Sequence, residues 1–249
     1  MKKLSALILT LVMVLTFAAC GCKTESNKET TIDDITVNEE STLADIKVDS
    51  LEELEERVDE YVDKVIENLT KQYNGLTSGI GTYDQYKSST EEIEAFYTDV
   101  VDANKKATIQ LREYALAYVK KILALDISID EQYDKMEEVY DVIYEDAGEK
   151  LYDEIYDGIL KDIYDVYYDG VLKDAYDTVE YSEWSDLRSD EYNWWSDARS
   201  DSYDDWSDFR SDVYDFWSDV RGDLWDDDIK KVKEEISDFS EDVKNMKQK

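Results

Sequence analysis

The sequence predicts an all-α fold in which long amphipathic helices form an elongated bundle or coiled coil. The chain of 249 residues contains no proline and only 8 glycines, so few residues would interrupt a long helix. Two tandem repeats, of 12 and of 11 residues, occupy its second half, and both periods are compatible with helical winding. The spacing of apolar residues does not show the alternation of strands and helices that is typical of α/β domains.

The N-terminal segment has the features of a bacterial export signal. Two lysines near the start precede an apolar run, Leu4–Phe17, and two alanines separate that run from Cys20. This stretch resembles the lipobox of bacterial lipoproteins, although Phe17 stands where such signals usually have leucine. The resemblance implies that residues 1–19 are a signal peptide that is removed. It also implies that Cys20 carries lipid such as palmitate. The alternatives are lipidation of Cys22 and an uncleaved membrane helix.

The location of the protein follows from this resemblance. A lipoprotein of this kind is exported and anchored to the outer face of the cytoplasmic membrane, or to the outer membrane if the organism has one. The membrane would then be a partner through the lipid anchor alone, since a charge of −35 opposes adsorption to anionic headgroups.

Two segments are predicted to connect the anchor with the repeats. Residues 20–49 are polar and lack a sustained period, which indicates a flexible linker. Residues 50–126 are expected to form a helical hairpin. Its first helix is expected over Ser50–Tyr73 and its second over Ser89–Leu125, because apolar residues recur three and four apart in both. Glycines in residues 74–81 predict the loop between them.

Residues 127–183 are predicted to form a long helix with a 12-residue Tyr-Asp repeat. At 3.6 residues per turn, a row of residues spaced by four winds around the helix by about 40° per step. Apolar residues follow such a step here, so the apolar surface is expected to spiral and to face several neighbours. This suits either a helix that crosses a bundle or an underwound right-handed supercoil. Two courses stay open for the chain, a straight continuation into the next segment or a reversal near residues 178–182. The repeats begin at Tyr140, Tyr152, Tyr164 and Tyr176.

Residues 184–249 contain four copies of an 11-residue unit headed by tryptophan, followed by a C-terminal cap helix. Eleven residues make about three helical turns, so each position keeps nearly one face and drifts by only about 20° per copy. Positions one, four, eight and nine are expected to share one face, and the mostly acidic positions three, seven and ten the opposite face. Position five is always arginine, four residues after a tryptophan and four before an aromatic ring, which predicts a Trp–Arg–Tyr ladder.

The aromatic and arginine positions of this repeat are the candidate binding residues. They would form either a face that docks a ligand or partner, or the buried face of a helix in a bundle. The candidates are Trp184, Arg188, Tyr192, Trp195, Arg199, Tyr203, Trp206, Arg210, Tyr214, Trp217, Arg221 and Trp225.

Composition excludes several function classes. The net charge of −35 argues against nucleic acid as a partner, because phosphate binding needs a basic surface. No cofactor and no metal site are predicted: there is no histidine, and both cysteines lie in the N-terminal segment. Asp153–Gly158 and Asp165–Gly170 resemble the start of a calcium loop. A calcium loop of this type has 12 residues and requires a carboxylate at the twelfth, where this chain has Tyr164 and Tyr176. Without histidine or a glycine-rich phosphate loop, an enzyme is not expected.

Three functional hypotheses follow. The first is a non-enzymatic, lipid-anchored surface protein that acts as a spacer, scaffold or adhesin. The second is a surface binding module for glycan, cell-wall polymer or cations, through its Trp/Tyr face and its acidic stripe. The third is a helix that lies on lipid, ranked last because the lysines that usually flank a lipid-facing surface are absent. A protein or cell-wall polymer partner would suit the first two, and a homo-oligomer is compatible with all three.

Overall fold

The computed structural model describes residues 50–248, and within this range every regular element is helical. The predicted all-α helical bundle is confirmed. The elements are α1 (Leu51–Gly79), α2 (Tyr83–Ser88), α3 (Thr90–Leu123), α4 (Ile129–Lys135), α5 (Glu137–Val139), π1 (Tyr140–Ala147), α6 (Gly148–Tyr152), π2 (Asp153–Ile159), α7 (Leu160–Val166), π3 (Tyr167–Val171), α8 (Leu172–Ala175), α9 (Tyr181–Trp225) and α10 (Ile229–Met246).

The elements from α4 to α8 follow one another as a single helical path, which we call the composite helix (residues 129–175). The residues that join its pieces keep right-handed helical backbone angles, so the path changes its winding without breaking. It begins after Ser128, whose side chain forms a capping box with that of Glu131. Three stretches of this path are π-helical.

Four long helices form the bundle: α1, α3, the composite helix and α9. α1 and α3 are antiparallel, and α1 lies parallel to the composite helix, where Lys150 pairs with Asp63 at 2.6 Å. α3 and α9 also run parallel, and α9 is antiparallel to the composite helix. Side chains at helical spacing on all four helices form one buried core, which provides most of the stabilisation expected for such a fold.

The predicted hairpin is present with different boundaries. α1 begins after Ser50, whose hydroxyl accepts a hydrogen bond from the Glu53 N–H at 3.1 Å. It continues through the predicted loop to Gly79, because Leu76 and Ile80 are buried and extend the core beyond Tyr73. Burial of an apolar face outweighs the modest helical cost of the glycines. The short helix α2 follows and was not predicted.

The chain reverses twice in its second half. The first reversal lies between Ala175 and Tyr181, so the composite helix and α9 are separate antiparallel helices and the option of one straight helix is wrong. The second reversal contains Asp227, with φ of 57°, and turns α10 back against α9 and α3. There Phe216 and Phe239 stack at 4.0 Å, and Lys247 pairs with Glu113 at 2.5 Å.

Some predictions fall on the part of the chain that is not described. The signal peptide (residues 1–19), lipidation of Cys20 and the linker (20–49) lie outside residues 50–248. Within the described range, none of the helices combines the length and the apolar character needed to cross a bilayer.

Candidate functional site

The 11-residue repeat of α9 presents its positions to different surroundings. Positions four and eight point into the core, where Ala198, Phe209, Val213 and Val220 are buried. The tryptophans of position one lie against the composite helix. Position nine is exposed, contrary to the prediction that it shares the apolar face. Most of the acidic residues at positions three, seven and ten are exposed, as predicted. Asp212 is a partly buried exception because it pairs with Arg112 at 2.8 Å.

The composite helix and α9 stay in register although their repeats differ in length. Each 12-residue unit of the composite helix (140–151, 152–163 and 164–175) contains one π-helical stretch. A π-helix bonds i to i+5 and accommodates more residues per turn than an α-helix. Twelve residues then complete about three turns, as eleven do in a plain α-helix. Equivalent residues of the two repeats therefore meet at every unit.

This register corrects the predicted spiral of the apolar surface. The spiral assumed 3.6 residues per turn throughout, whereas one π-helical stretch per unit raises the average to about 4. A row of residues spaced by four then runs straight along the helix. In agreement, Ile143, Leu151, Ile155, Ile159 and Ile163 are all buried in the same core.

Each tryptophan of position one packs against the tyrosine that begins a 12-residue unit. Trp206 and Tyr152 stack with ring centroids 4.2 Å apart and planes inclined by 27°. In the units that begin at Tyr140, Tyr152 and Tyr164, a second tyrosine four residues later stacks on the first, as Tyr156 does on Tyr152 at 4.8 Å. We call this repeated arrangement the aromatic ladder. Its four rungs are Tyr140–Trp217 at 4.9 Å, Tyr152–Trp206 at 4.2 Å, Tyr164–Trp195 at 4.3 Å and Tyr176–Trp184 at 4.8 Å.

The arginines of position five lie between rings of both helices. Arg199 lies over Tyr156 at 3.7 Å and over Trp195 at 5.1 Å. The prediction that each arginine stacks on the tryptophan four residues before it is confirmed. The recorded tyrosine contact, however, is to the composite helix and not to position nine of α9. The other three arginines repeat the arrangement: Arg188 over Tyr168 at 4.0 Å, Arg210 over Tyr144 at 4.5 Å and Arg221 over Tyr133 at 4.4 Å.

The indole N–H groups divide the rungs into two kinds. Those of Trp184 and Trp217 donate to the carbonyls of Leu172 and Met136, at 2.6 and 2.8 Å. The Leu172 carbonyl lies in the last turn of α8, where carbonyls lack a helical partner. The indole nitrogens of the two inner rungs, Trp195 and Trp206, are buried without a hydrogen-bond partner among residues 50–248.

Two open grooves lie on the aromatic ladder at equivalent places in the repeat. The first has a volume of about 470 Å³ and the second about 360 Å³. Tyr168, Trp184, Ser185, Arg188, Ser189, Tyr192 and Asn193 line the first groove, and Tyr144, Tyr203, Trp206, Ser207, Arg210, Ser211, Tyr214 and Asp215 line the second. Both grooves therefore combine aromatic rings, serine hydroxyls and one ladder arginine, and they can offer stacking surfaces together with hydrogen-bond donors.

A buried carboxylate lies behind the ladder, at position eight of the first 11-residue unit. Glu191 is fully buried and accepts hydrogen bonds from the hydroxyls of Tyr97 at 2.6 Å and Tyr86 at 2.8 Å. Burial raises the pKa of Glu191 to about 7, although these two hydrogen bonds lower it. Tyr167 packs edge-on against Tyr86, and its buried hydroxyl has no partner among the described residues.

The structure places the twelve predicted site residues along one flank of α9, but their side chains differ in how far they are exposed. The rings of Trp184, Trp195, Trp206 and Trp217 are partly or fully covered by the composite helix. The four arginines are half-buried between rings. The position-nine residues remain exposed: Tyr192, Tyr203, Tyr214 and Trp225.

Sequence reasoning missed the other half of the ladder. The composite helix contributes six tyrosines to the ladder, beside the four tryptophans of α9. The equal number of Tyr-headed and Trp-headed units was the signal that could have paired the two segments. Glu191 was also missed. An acidic residue at position eight, where Val213 and Leu224 occur in later units, was the available sign of a buried polar group.

Comparisons with protein-family models, with curated proteins and with solved structures found no match to this chain. Among the described residues there is no group of three or more acidic side chains arranged to hold a metal ion.

Proposed function

We propose that this protein is a non-enzymatic helical spacer or scaffold that is exported and held at the outer face of the cell membrane by lipid on Cys20. The observation that carries the proposal is the matched register of the two repeats. Three successive rungs join the composite helix to α9 and the fourth, Tyr176–Trp184, lies where the chain reverses between them, so most of the aromatic rings serve to hold two long helices together. A length of paired helices is what a spacer requires.

The dimensions and charge of the bundle support this role. The 45 residues of α9 span roughly 68 Å at 1.5 Å per residue. The acidic positions of its repeat face outward, and a surface of one charge sign keeps such a body soluble and discourages unspecific association. The polar linker of residues 20–49 would separate the bundle from the anchor.

Metabolic labelling and surface detection test this proposal. The full chain, carrying an epitope in the turn at residues 226–228, is expressed in a bacterium that processes lipoproteins. We expect labelled palmitate on the protein, retention in the membrane fraction and antibody binding on intact cells. Cys20→Ala should lose the label and be released, whereas the matched Cys22→Ala should behave as the unchanged protein. A cytoplasmic, unlabelled protein would contradict the proposal.

A further inference from the structure

We propose that the two grooves on the aromatic ladder are subsites for one linear, uncharged polysaccharide. This inference goes beyond the spacer role and does not depend on the lipid anchor. It rests on the composition of the grooves, on the unpaired hydrogen-bond donors of the first groove, on the net charge of the chain and on the repetition of the grooves along one flank.

The grooves offer ring surfaces that the bundle leaves uncovered. Tyr192 and Tyr214 occupy the same position of the repeat in the first and second groove, and they are 47% and 46% exposed. A tyrosine ring presents an apolar surface with a polar tip, which suits a ligand that has both C–H faces and hydroxyl groups. Sugar rings have this combination.

Hydrogen-bond donors accompany the rings. Arg188 lies 4.0 Å from the ring centroid of Tyr168, and within residues 50–248 it has ring contacts but neither a hydrogen bond nor an ion pair. Its Nε is buried, but its terminal N–H groups have no partner among the described residues and can donate to a ligand in the first groove. Ser185 and Asn193 line the same groove and add a hydroxyl and an amide.

Charge selects an uncharged ligand. A polyanion would be repelled by a chain with a net charge of −35, and Asp215 lines the second groove. A cationic ligand would meet Arg188 in the first groove and Arg210 in the second. A neutral, hydroxyl-rich chain is repelled neither by the carboxylates nor by the arginines. Its hydroxyl groups can accept hydrogen bonds from the arginine N–H groups.

Repetition points to a polymer and not to a single small molecule. Trp184 and Trp206 head units that are two repeats apart, so the grooves lie roughly 33 Å from each other at 1.5 Å per residue. Both open on the flank where α9 meets the composite helix. A ligand that reaches both gains affinity because its second contact becomes intramolecular.

Calorimetric titration of the full chain tests the proposal. The probes are cello-, chito- and mannooligosaccharides of increasing length, with polygalacturonate and a proline-rich peptide as charged and peptidic alternatives. We expect at least one of the neutral series to bind, with an affinity at least 10-fold higher once the oligomer spans both grooves. Tyr192→Ser and Tyr214→Ser should each weaken binding of the long oligomer at least 10-fold.

Matched variants separate binding from folding. Tyr181→Ser removes a ring that is 63% exposed and lines neither groove, and it should leave the affinity unchanged. Asn193→Ala changes only an exposed amide of the first groove and should reduce the affinity while the thermal unfolding temperature stays the same. Absence of binding by all neutral oligomers, preference for polygalacturonate or the peptide, or equal binding by Tyr192→Ser would overturn the proposal.

Discussion

The guanidinium carbon of Arg199 lies 3.7 Å from the ring centroid of Tyr156, across the interface between α9 and the composite helix. The same arginine reaches Trp195 of its own helix at 5.1 Å and Asp157 at 3.4 Å. Its Nε is buried without a hydrogen bond, so the guanidinium is held mainly by stacking on the rings and less by the ion pair. The arginine at position five of each 11-residue unit thus joins α9 to the composite helix.

Arg199→Lys should destabilise the bundle by about 1 kcal/mol. Lysine keeps the charge that faces Asp157 but loses the planar group that stacks on both rings. Urea unfolding followed by circular dichroism measures the change. Ser200→Ala, at the adjacent exposed position, should change the free energy of unfolding by less than about 0.5 kcal/mol. Equal stability of Arg199→Lys and the unchanged chain would show that stacking contributes little.

Gly148→Ala should destabilise the protein by about 1–3 kcal/mol, because an added methyl group overpacks the core. A Cβ at this position would lie 2.6 Å from Cε1 of Phe209 and 3.2 Å from the carbonyl oxygen of Ile143. Gly158→Ala is the matched control in the same composite helix, since its nearest contact would be 3.5 Å. We expect that variant to be neutral or slightly stabilised, because alanine favours helix. Reversal of this order in thermal unfolding would contradict the packing.

Glu191 should make the unfolding free energy depend on pH. Its pKa in the folded protein is raised to about 7 from an ordinary value of 4.5. A raised pKa means that the folded state retains the proton more strongly. The resulting stabilisation is complete below about pH 4.5 and is lost as the pH rises through about 7. The carboxylate is fully buried, so the change should amount to a few kcal/mol.

Glu191→Gln isolates this effect from the other carboxylates. The amide cannot titrate, so the difference in unfolding free energy between the variant and the unchanged chain should shift in favour of the variant between pH 4.5 and 7. The hydroxyls of Tyr86 and Tyr97 face this side chain, and Asp190 lies near Tyr86. A difference that stays constant over this pH range would mean that Glu191 does not titrate there.

Double-mutant cycles should detect coupling at each matched rung of the ladder. The pairs Tyr164/Trp195 and Tyr140/Trp217, with ring centroids 4.3 and 4.9 Å apart, should each show a coupling free energy of about 0.5–1.5 kcal/mol when both residues are replaced by leucine. The mismatched pair Tyr164/Trp217 should show none. Coupling at a single rung would indicate that the register is lost along the bundle.

Sequence patterns predicted the positions of the helices well, but they did not predict which helices pack against each other. Apolar spacing located α1, α3 and α10, because burial of one face dictates that spacing in any bundle. The arginine ladder was half correct because contacts four residues apart are set within one helix, whereas the tyrosine under Arg199 comes from a different helix. The spiral expected for residues 127–183 was wrong because a 12-residue period was wound at 3.6 residues per turn. Exposure of Tyr203 could not be foreseen without knowing which flank the composite helix covers.

Single-residue deletions test the central claim most directly, namely that π-helical winding absorbs the extra residue of each 12-residue unit. Removing Gly158 from π2 leaves an 11-residue unit, which should wind as plain α-helix and keep the rungs at Tyr152 and Tyr164 aligned. Removing Ser200 from α9 leaves a 10-residue unit, which should rotate one end of the helix by about 100° relative to the other. In urea unfolding we expect deletion of Gly158 to cost less than about 1.5 kcal/mol and deletion of Ser200 more than about 3 kcal/mol. Equal loss of stability in the two deletions, or a greater loss on removing Gly158, would contradict the account.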